Sequence, residues 1–188
     1  MKLIYFLTII FSISLYGLHA EETRQVDKHE HGVGELNITI ENEIINFEFI
    51  IPGADIVGFE YKAKSTHDIA TVNSALKKFD DYKNIFIMSG DHQCILLSQK
   101  ININQEDEHD EHDEHDEHDE HDEETHNEFY AKYSFECDSI NLINKVEFPY
   151  FLTFPNSGEL EVQFISELGS TSFEVEADKP VINIEGKI

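Results

Sequence analysis

The sequence predicts an α+β fold, mostly antiparallel β with one clear helix, arranged as two similar lobes joined by a disordered linker rich in His, Asp and Glu. Three observations carry this. Apolar residues alternate with polar ones from Leu36 to Ile51, the period of half-buried strands. Ile69, Val72, Leu76 and Phe79 recur at helical spacing, the one stretch that does so. Finally, Gly34-Glu35-Leu36-Asn37-Ile38-Thr39-Ile40 is echoed by Gly158-Glu159-Leu160-Glu161-Val162-Gln163-Phe164, and Phe47-Glu48-Phe49 by Phe173-Glu174-Val175, across a tract with no apolar residue.

The elements follow in order. Met1 and Lys2, an apolar run from Leu3 to about Leu15 and the small residue Ala20 make a secretory signal peptide over residues 1–20, too short for a membrane span. No Cys lies near the cut, so the mature chain is expected to start near Glu21 without a lipid anchor. An N-terminal β-rich lobe then occupies residues 21–104. It opens with a hairpin: Leu36, Ile38 and Ile40, a turn at Asn42-Glu43, and Ile45, Phe47, Phe49 and Ile51 on the return strand, closed by Pro52-Gly53. Ser65-Thr66-His67-Asp68 reads as an N-terminal cap, and Lys77 and Lys78 suit the last turn of a helix over residues 66–79. Short apolar runs at Ile85 to Met88 and Ile95 to Ile103 give two strands separated by Ser89-Gly90-Asp91. After the linker at 105–124, a C-terminal lobe over 125–188 starts with a strand through Phe129, Tyr133 and Phe135 to Cys137. A helical turn near Asn141, an aromatic stretch from Phe148 to Phe154 and a second hairpin complete it. Its Tyr and Phe residues, like those of the first half, read as core. Cys94 and Cys137 are the only cysteines, and in an oxidising compartment the simplest reading is a disulfide that clips the halves across the linker. A metal site from His92 and Cys94 is the competing reading.

The linker carries the chemistry. Residues 106–124 are five consecutive His-Asp-Glu triplets with acidic flanks: His109, His112, His115, His118 and His121 among 14 carboxylates in 19 residues. Nothing there offsets the entropy cost of ordering, and stacked carboxylates would oppose a helix. Neutral imidazole suits Zn(II), Ni(II), Cu(II) and Fe(II), and neighbouring carboxylates attract the cation and complete its shell. In an extended chain of about 3.1 Å per residue, successive imidazoles stand roughly 9 Å apart, so two on one ion require a local bend. The expectation is several weak, exchanging sites rather than one tetrahedral cage. The plain alternative is a solvated acidic linker in which the His are incidental.

Charge and motif content exclude other classes. The formal net charge of −26 becomes −27 without Lys2, and −13 without the tract's 14 acids, so nucleic acid and anionic lipid are poor partners and no stable membrane insertion is expected. No His-Glu-x-x-His, no Gly-x-Ser-x-Gly and no nucleophile beside a base is found, so no enzyme is expected. A secreted β-module with the tract as mere linker, or a nickel or copper buffer, are the alternatives to a zinc-binding protein.

The opening His29-Glu30-His31-Gly32-Val33-Gly34, the segment Ile51-Pro52-Gly53-Ala54-Asp55-Ile56-Val57-Gly58-Phe59-Glu60-Tyr61, the Cys of His92-Gln93-Cys94, the strand Tyr133-Ser134-Phe135-Glu136-Cys137 and the mid-chain tract together resemble the ZrgA family of periplasmic zinc-binding proteins. The resemblance implies a periplasmic protein that binds Zn(II) and supports its uptake, alongside a zinc ABC importer or its binding protein. Within it the motif that carries over is His29 and His31, which also stand out on physical grounds as two imidazoles at i and i+2 ahead of a strand, on one side of an extended chain. A third ligand is needed. The family carries His after Gly-Phe-Glu, where this chain has Tyr61; His67 and His126 are the substitutes by type. His92, in a turn, reads as a surface residue.

Overall fold

The computed structural model describes residues 32–105 and 127–188, and within them the alternation of the sequence becomes one mixed sheet. Strands β1 (Val33–Glu41) and β2 (Ile44–Pro52) form the expected hairpin, with Leu36, Ile38, Ile40, Ile45, Phe47, Phe49 and Ile51 buried. Asn42 sits at φ 55° in the tight turn, a conformation that Asn tolerates better than most side chains. After β2 the chain makes the short helix α1 (Gly53–Val57), stopped by Gly58 in the left-handed region with its N–H donating to the Ala54 carbonyl.

Helix α2 (Thr66–Asp80) starts where the cap predicts: the Ser65 hydroxyl accepts the Asp68 N–H at 3.0 Å. Its buried face is Val72, Ala75 and Phe79, with Leu76 packed beside them, while Ile69 in the first turn is 46% exposed. The helix therefore meets the core only through its later turns. A 3-10 turn over Tyr82–Asn84 leads into β3 (Ile87–Gly90) and the long β4 (Gln93–Gln105). These two strands do not pair. Gly90 turns at φ 147° so close to Leu142 that an added Cβ would overlap the Leu142 carbonyl oxygen, and β3 and β4 enter different sheets.

In the second half, β5 (Asn127–Asp138) runs to Cys137 as expected, and a 3-10 turn over Ile140–Leu142 answers to the predicted helical turn near Asn141. It is followed by β6 (Ile143–Glu147), the single helical turn α3 (Tyr150–Thr153), and the hairpin of β7 (Glu159–Ser166) with β8 (Gly169–Glu176). A final strand, β9 (Val181–Asn183), joins β6. The order of the large sheet is β4-β5-β2-β1-β7-β8, and β3-β6-β9 make a smaller one.

The two halves marked by the sequence echo thus interleave in one sheet. β5, from the second half, lies between β4 and β2 of the first. The echoed strands themselves are neighbours: β1 and β7 pair in parallel, Leu36 opposite Val162 and Ile38 opposite Phe164. Both halves share one core, in which Phe86 stacks on Phe47 at 3.9 Å between ring centroids and meets Tyr133 and Phe135 edge-on. The disulfide joins Cys94 to Cys137, a directly opposed pair on β4 and β5 with Cα atoms 4.0 Å apart.

Candidate metal centre

Strand direction determines what gathers at each end of the large sheet. β1 and β7 begin at one end; β2, β4 and β8 finish there, and β5 begins there. Gly32, which directly follows His29-Glu30-His31, therefore stands at the same end as Gln105 and Asn127, between which residues 106–126 run. Gln105 and Asn127 are Cα partners in the register, and Glu128 is opposite Pro52, the residue that ends the strand beside β1. At about 4.8 Å per strand, the start of β1 lies about 10 Å from the start of β5. The disulfide is at the far end of the β4–β5 pair, eleven residues down β4 from Gln105. It joins β4 to β5 at the end of the pair away from the connection that carries the His-Asp-Glu tract.

The corner after β2 fixes this end. A Cβ on Gly53 would stand 2.8 Å from the Phe59 carbonyl oxygen and 2.9 Å from that of Asn127, so only Gly lets α1, the following loop and β5 meet. The Asn127 N–H donates to the Glu60 carbonyl at 2.8 Å, and its side-chain amide donates to the Tyr61 carbonyl. The first described residue after the tract is thereby tied to the loop that carries Tyr61. Tyr61 itself is 55% exposed and stacks on Phe59.

Two buried carboxylates belong to this end, Glu128 at the start of β5 and Asp55. Asp55, on α1, is 3% exposed, and its Oδ1 accepts the Gly32 N–H at 2.8 Å. The Gly32 carbonyl in turn accepts N–H groups from Gly158 and Glu159, both at 2.8 Å, so Gly32 bridges α1 to the start of β7. Beneath it Tyr150 and Ser157 share a 2.6 Å hydrogen bond between hydroxyls. Burial pushes the Tyr150 phenol far above its ordinary value, the Ser157 hydrogen bond opposes this, and the Asp55 charge adds to it. Beside Gly32 a notch of about 430 Å³ is lined by Gly32, Val33, Gly158, Glu159, Glu176 and Asp178, with Glu159 directly opposite Glu176 across the strands. Glu159, Glu176 and Asp178 thus bring three carboxylates to this notch.

Of the predicted ligands, His29, His31, His109, His112, His115, His118, His121 and His126 lie outside the described residues, as do the signal peptide and the linker beyond Gln105, which ends β4. His67 lies within them, exposed on the first turn of α2, its carbonyl taken by the Thr71 hydroxyl. His92 is half-buried ahead of β4, at the disulfide end of the sheet. Among the described residues no three of His, Cys, Asp and Glu converge as a metal-binding group. Cys94 is committed to the disulfide, which sets aside a metal site with His92. Asp55 escaped the sequence reading. Its one signal is an acid in the apolar stretch Ile50-Ile51-Pro52-Gly53-Ala54-Asp55-Ile56-Val57.

No helix among the described residues is long and apolar enough to cross a membrane. Comparison with family models matches residues 28–184 to one described as "ZrgA family zinc uptake protein", and the matched region runs through both halves and the tract between them. Comparison with curated proteins gives no match.

Proposed function

Since the chain belongs to the ZrgA family of zinc uptake proteins, we propose that it is a periplasmic, non-catalytic zinc-binding protein that works at two affinities. The five His-Asp-Glu triplets collect Zn(II) in many weak, exchanging sites, and His29 with His31 contributes to a tighter one. The ion then passes to a transporter such as a zinc ABC importer. The observation that carries this reading is topological: the segment bearing His29 and His31 enters the sheet at the same end where residues 106–126 leave and return. The described strand starts that follow these two sequence-distant sets of imidazoles stand about 10 Å apart, three strands across at normal spacing. Weak multi-site binding close to a tighter site supports capture at a high encounter rate followed by transfer over a short distance. Family membership favours zinc over nickel or copper, since imidazole alone does not discriminate in that direction.

Titration calorimetry on the protein from Glu21 onward, with and without residues 106–124, tests both parts. Deletion is expected to remove most of the bound ions and leave a tighter site, which His29→Ala with His31→Ala abolishes. An unchanged stoichiometry after deletion would sink the role of the tract. A tight site that survives the double substitution would sink the role of the two His.

A further inference from the structure

We propose that the hollow on the outer face of β4, β5 and β2 binds a small hydroxylated carboxylate, its acid group held at Lys100 beside Lys132. The site is separate from zinc coordination and does not depend on it. Strand alternation builds it. Ile101 on β4, Ala131 on β5 and Phe49 on β2 turn toward the core, so Lys100, Lys132 and Glu48 turn away from it and line a hollow of about 470 Å³. The register sets their charges side by side: Lys100 is directly opposite Lys132, and Lys132 directly opposite Glu48. Like charges that face each other across two strands destabilise the pair. Glu48 relieves only one of the two lysines. It is bound to Lys132, whereas Lys100 has no ion pair among the described residues. The nearest acids on β5, Glu128 and Glu136, stand four residues to either side of Lys132, about 13 Å along the strand. In a chain of net charge −26, two facing lysines with one counter-charge between them call for an anion.

The surroundings specify the class of ligand. Two positive charges and one negative leave one charge unmet, which a single carboxylate balances through charge-assisted hydrogen bonds; a phosphate dianion would overshoot and meet Glu48. Further along the same face of β4, Asn102 and Asn104 line the hollow, and neither side chain has a hydrogen bond among the described residues. An amide offers both a donor and an acceptor, the combination a hydroxyl group uses. Asn102 stands about 7 Å from Lys100 and Asn104 about 14 Å, so a six-carbon sugar acid reaches the first and a longer one both. Tyr130, directly opposite Asn102, forms the facing wall, its hydroxyl donating to Glu128. The overall negative charge disfavours anions in general, so retention requires the acid and the hydroxyl contacts together.

The test titrates the metal-free protein from Glu21 onward with glucuronate, followed by backbone amide shifts in nuclear magnetic resonance. Glucose, which lacks the acid, and acetate and phosphate, which lack the hydroxylated body, serve as comparisons. Glucuronate should bind with its largest shifts around Lys100, Asn102 and Lys132, and each comparison should bind about tenfold more weakly or worse, the worth of one hydrogen bond to a charged group. Lys100→Met should weaken glucuronate about tenfold, the low end expected at an exposed position. Because that substitution removes one of two facing cations, the variant should be at least as stable in denaturant as the parent, which separates lost binding from a damaged fold. Asn102→Ala should weaken glucuronate and leave acetate unchanged. Equal binding of glucuronate, acetate and phosphate would mean an adventitious ion only and would overturn the proposal. So would an affinity for glucuronate unchanged by Lys100→Met, shifts confined to other parts of the molecule, or no binding at all.

Discussion

Gly53 shows how a single absent side chain shapes the site. The two carbonyl oxygens that a Cβ would crowd belong to Phe59 and Asn127, both backbone, so neither can swing aside. Gly53→Ala is therefore expected to cost about 1–3 kcal/mol by overpacking, read by denaturant unfolding, and to loosen the loop carrying Tyr61. A loss near zero would show that the corner yields. Tyr133 gives a second expectation. Its hydroxyl donates to the Phe79 carbonyl at 2.7 Å in the last turn of α2, and Tyr133→Phe leaves that buried carbonyl short of a partner at a cost of about 1–2 kcal/mol. Burial, reinforced by Asp80 and Asp81, also raises the Tyr133 phenol well above its ordinary value of about 10, as burial does for Tyr150. The sign follows from linkage: above pH 10 the unfolded chain releases phenolic protons that the native chain retains, so stability falls as pH rises past 10 and is untouched below it. Phenolate absorbance from these two residues should appear only with unfolding; if it rises smoothly in native protein, the burial argument is wrong.

Element by element, the sequence was legible where a local rule sufficed. The alternation of Leu36 to Ile51 specifies both strands and their shared face, and Ser65 with Val72 and Phe79 specifies α2. α1, β6 and β9 were not anticipated, because five, five and three residues are too few for a period to show. Pairing was opaque as well. Nothing local in Ile87 to Gly90 says that its partner is Ile143 to Glu147 rather than the strand two residues on. Asp55 was invisible for a related reason, since burial of an acid depends on which distant amide, here Gly32, arrives beside it. The β4–β5 hairpin supplies the test at this scale. Because Gln105 faces Asn127, residues 106–126 can be replaced by Asn-Gly, and the hairpin should close with a gain of about 1–2 kcal/mol from the shorter loop. In the unshortened chain, reduction of Cys94–Cys137, which are 43 apart in sequence, should cost about 4 kcal/mol by the chain-entropy account. Replacement that unfolds the protein would mean that the tract has a structural duty, contrary to the register.

For the whole molecule the decisive quantity is charge. The chain carries −26 overall, 14 of its acids fall between residues 106 and 124, and Glu159, Glu176 and Asp178 line a notch at the same end of the sheet. Two kinds of zinc binding should then respond differently to solution conditions. Capture by the tract depends on the long-range field of many carboxylates, and salt shortens that field from about 30 Å at 0.01 M to about 3 Å at 1 M. Coordination by imidazole nitrogen is short-range and resists screening, but it requires neutral His, so it weakens as pH falls through about 6.5. Raising salt at neutral pH should therefore strip the weak ions first and slow association, leaving the tight site nearly unchanged. Lowering pH toward 5.5 at low salt should instead remove imidazole coordination from the tight site and from the tract alike, leaving in the tract only the attraction of carboxylates, whose ordinary values are near 4. The protein without residues 106–124 should lose most of the salt response and keep the pH response. Calorimetric titrations across both variables separate the two: if salt weakens the weak and the tight ions in parallel, one class of site accounts for all the binding, and the division between a collecting tract and a His29–His31 site is wrong.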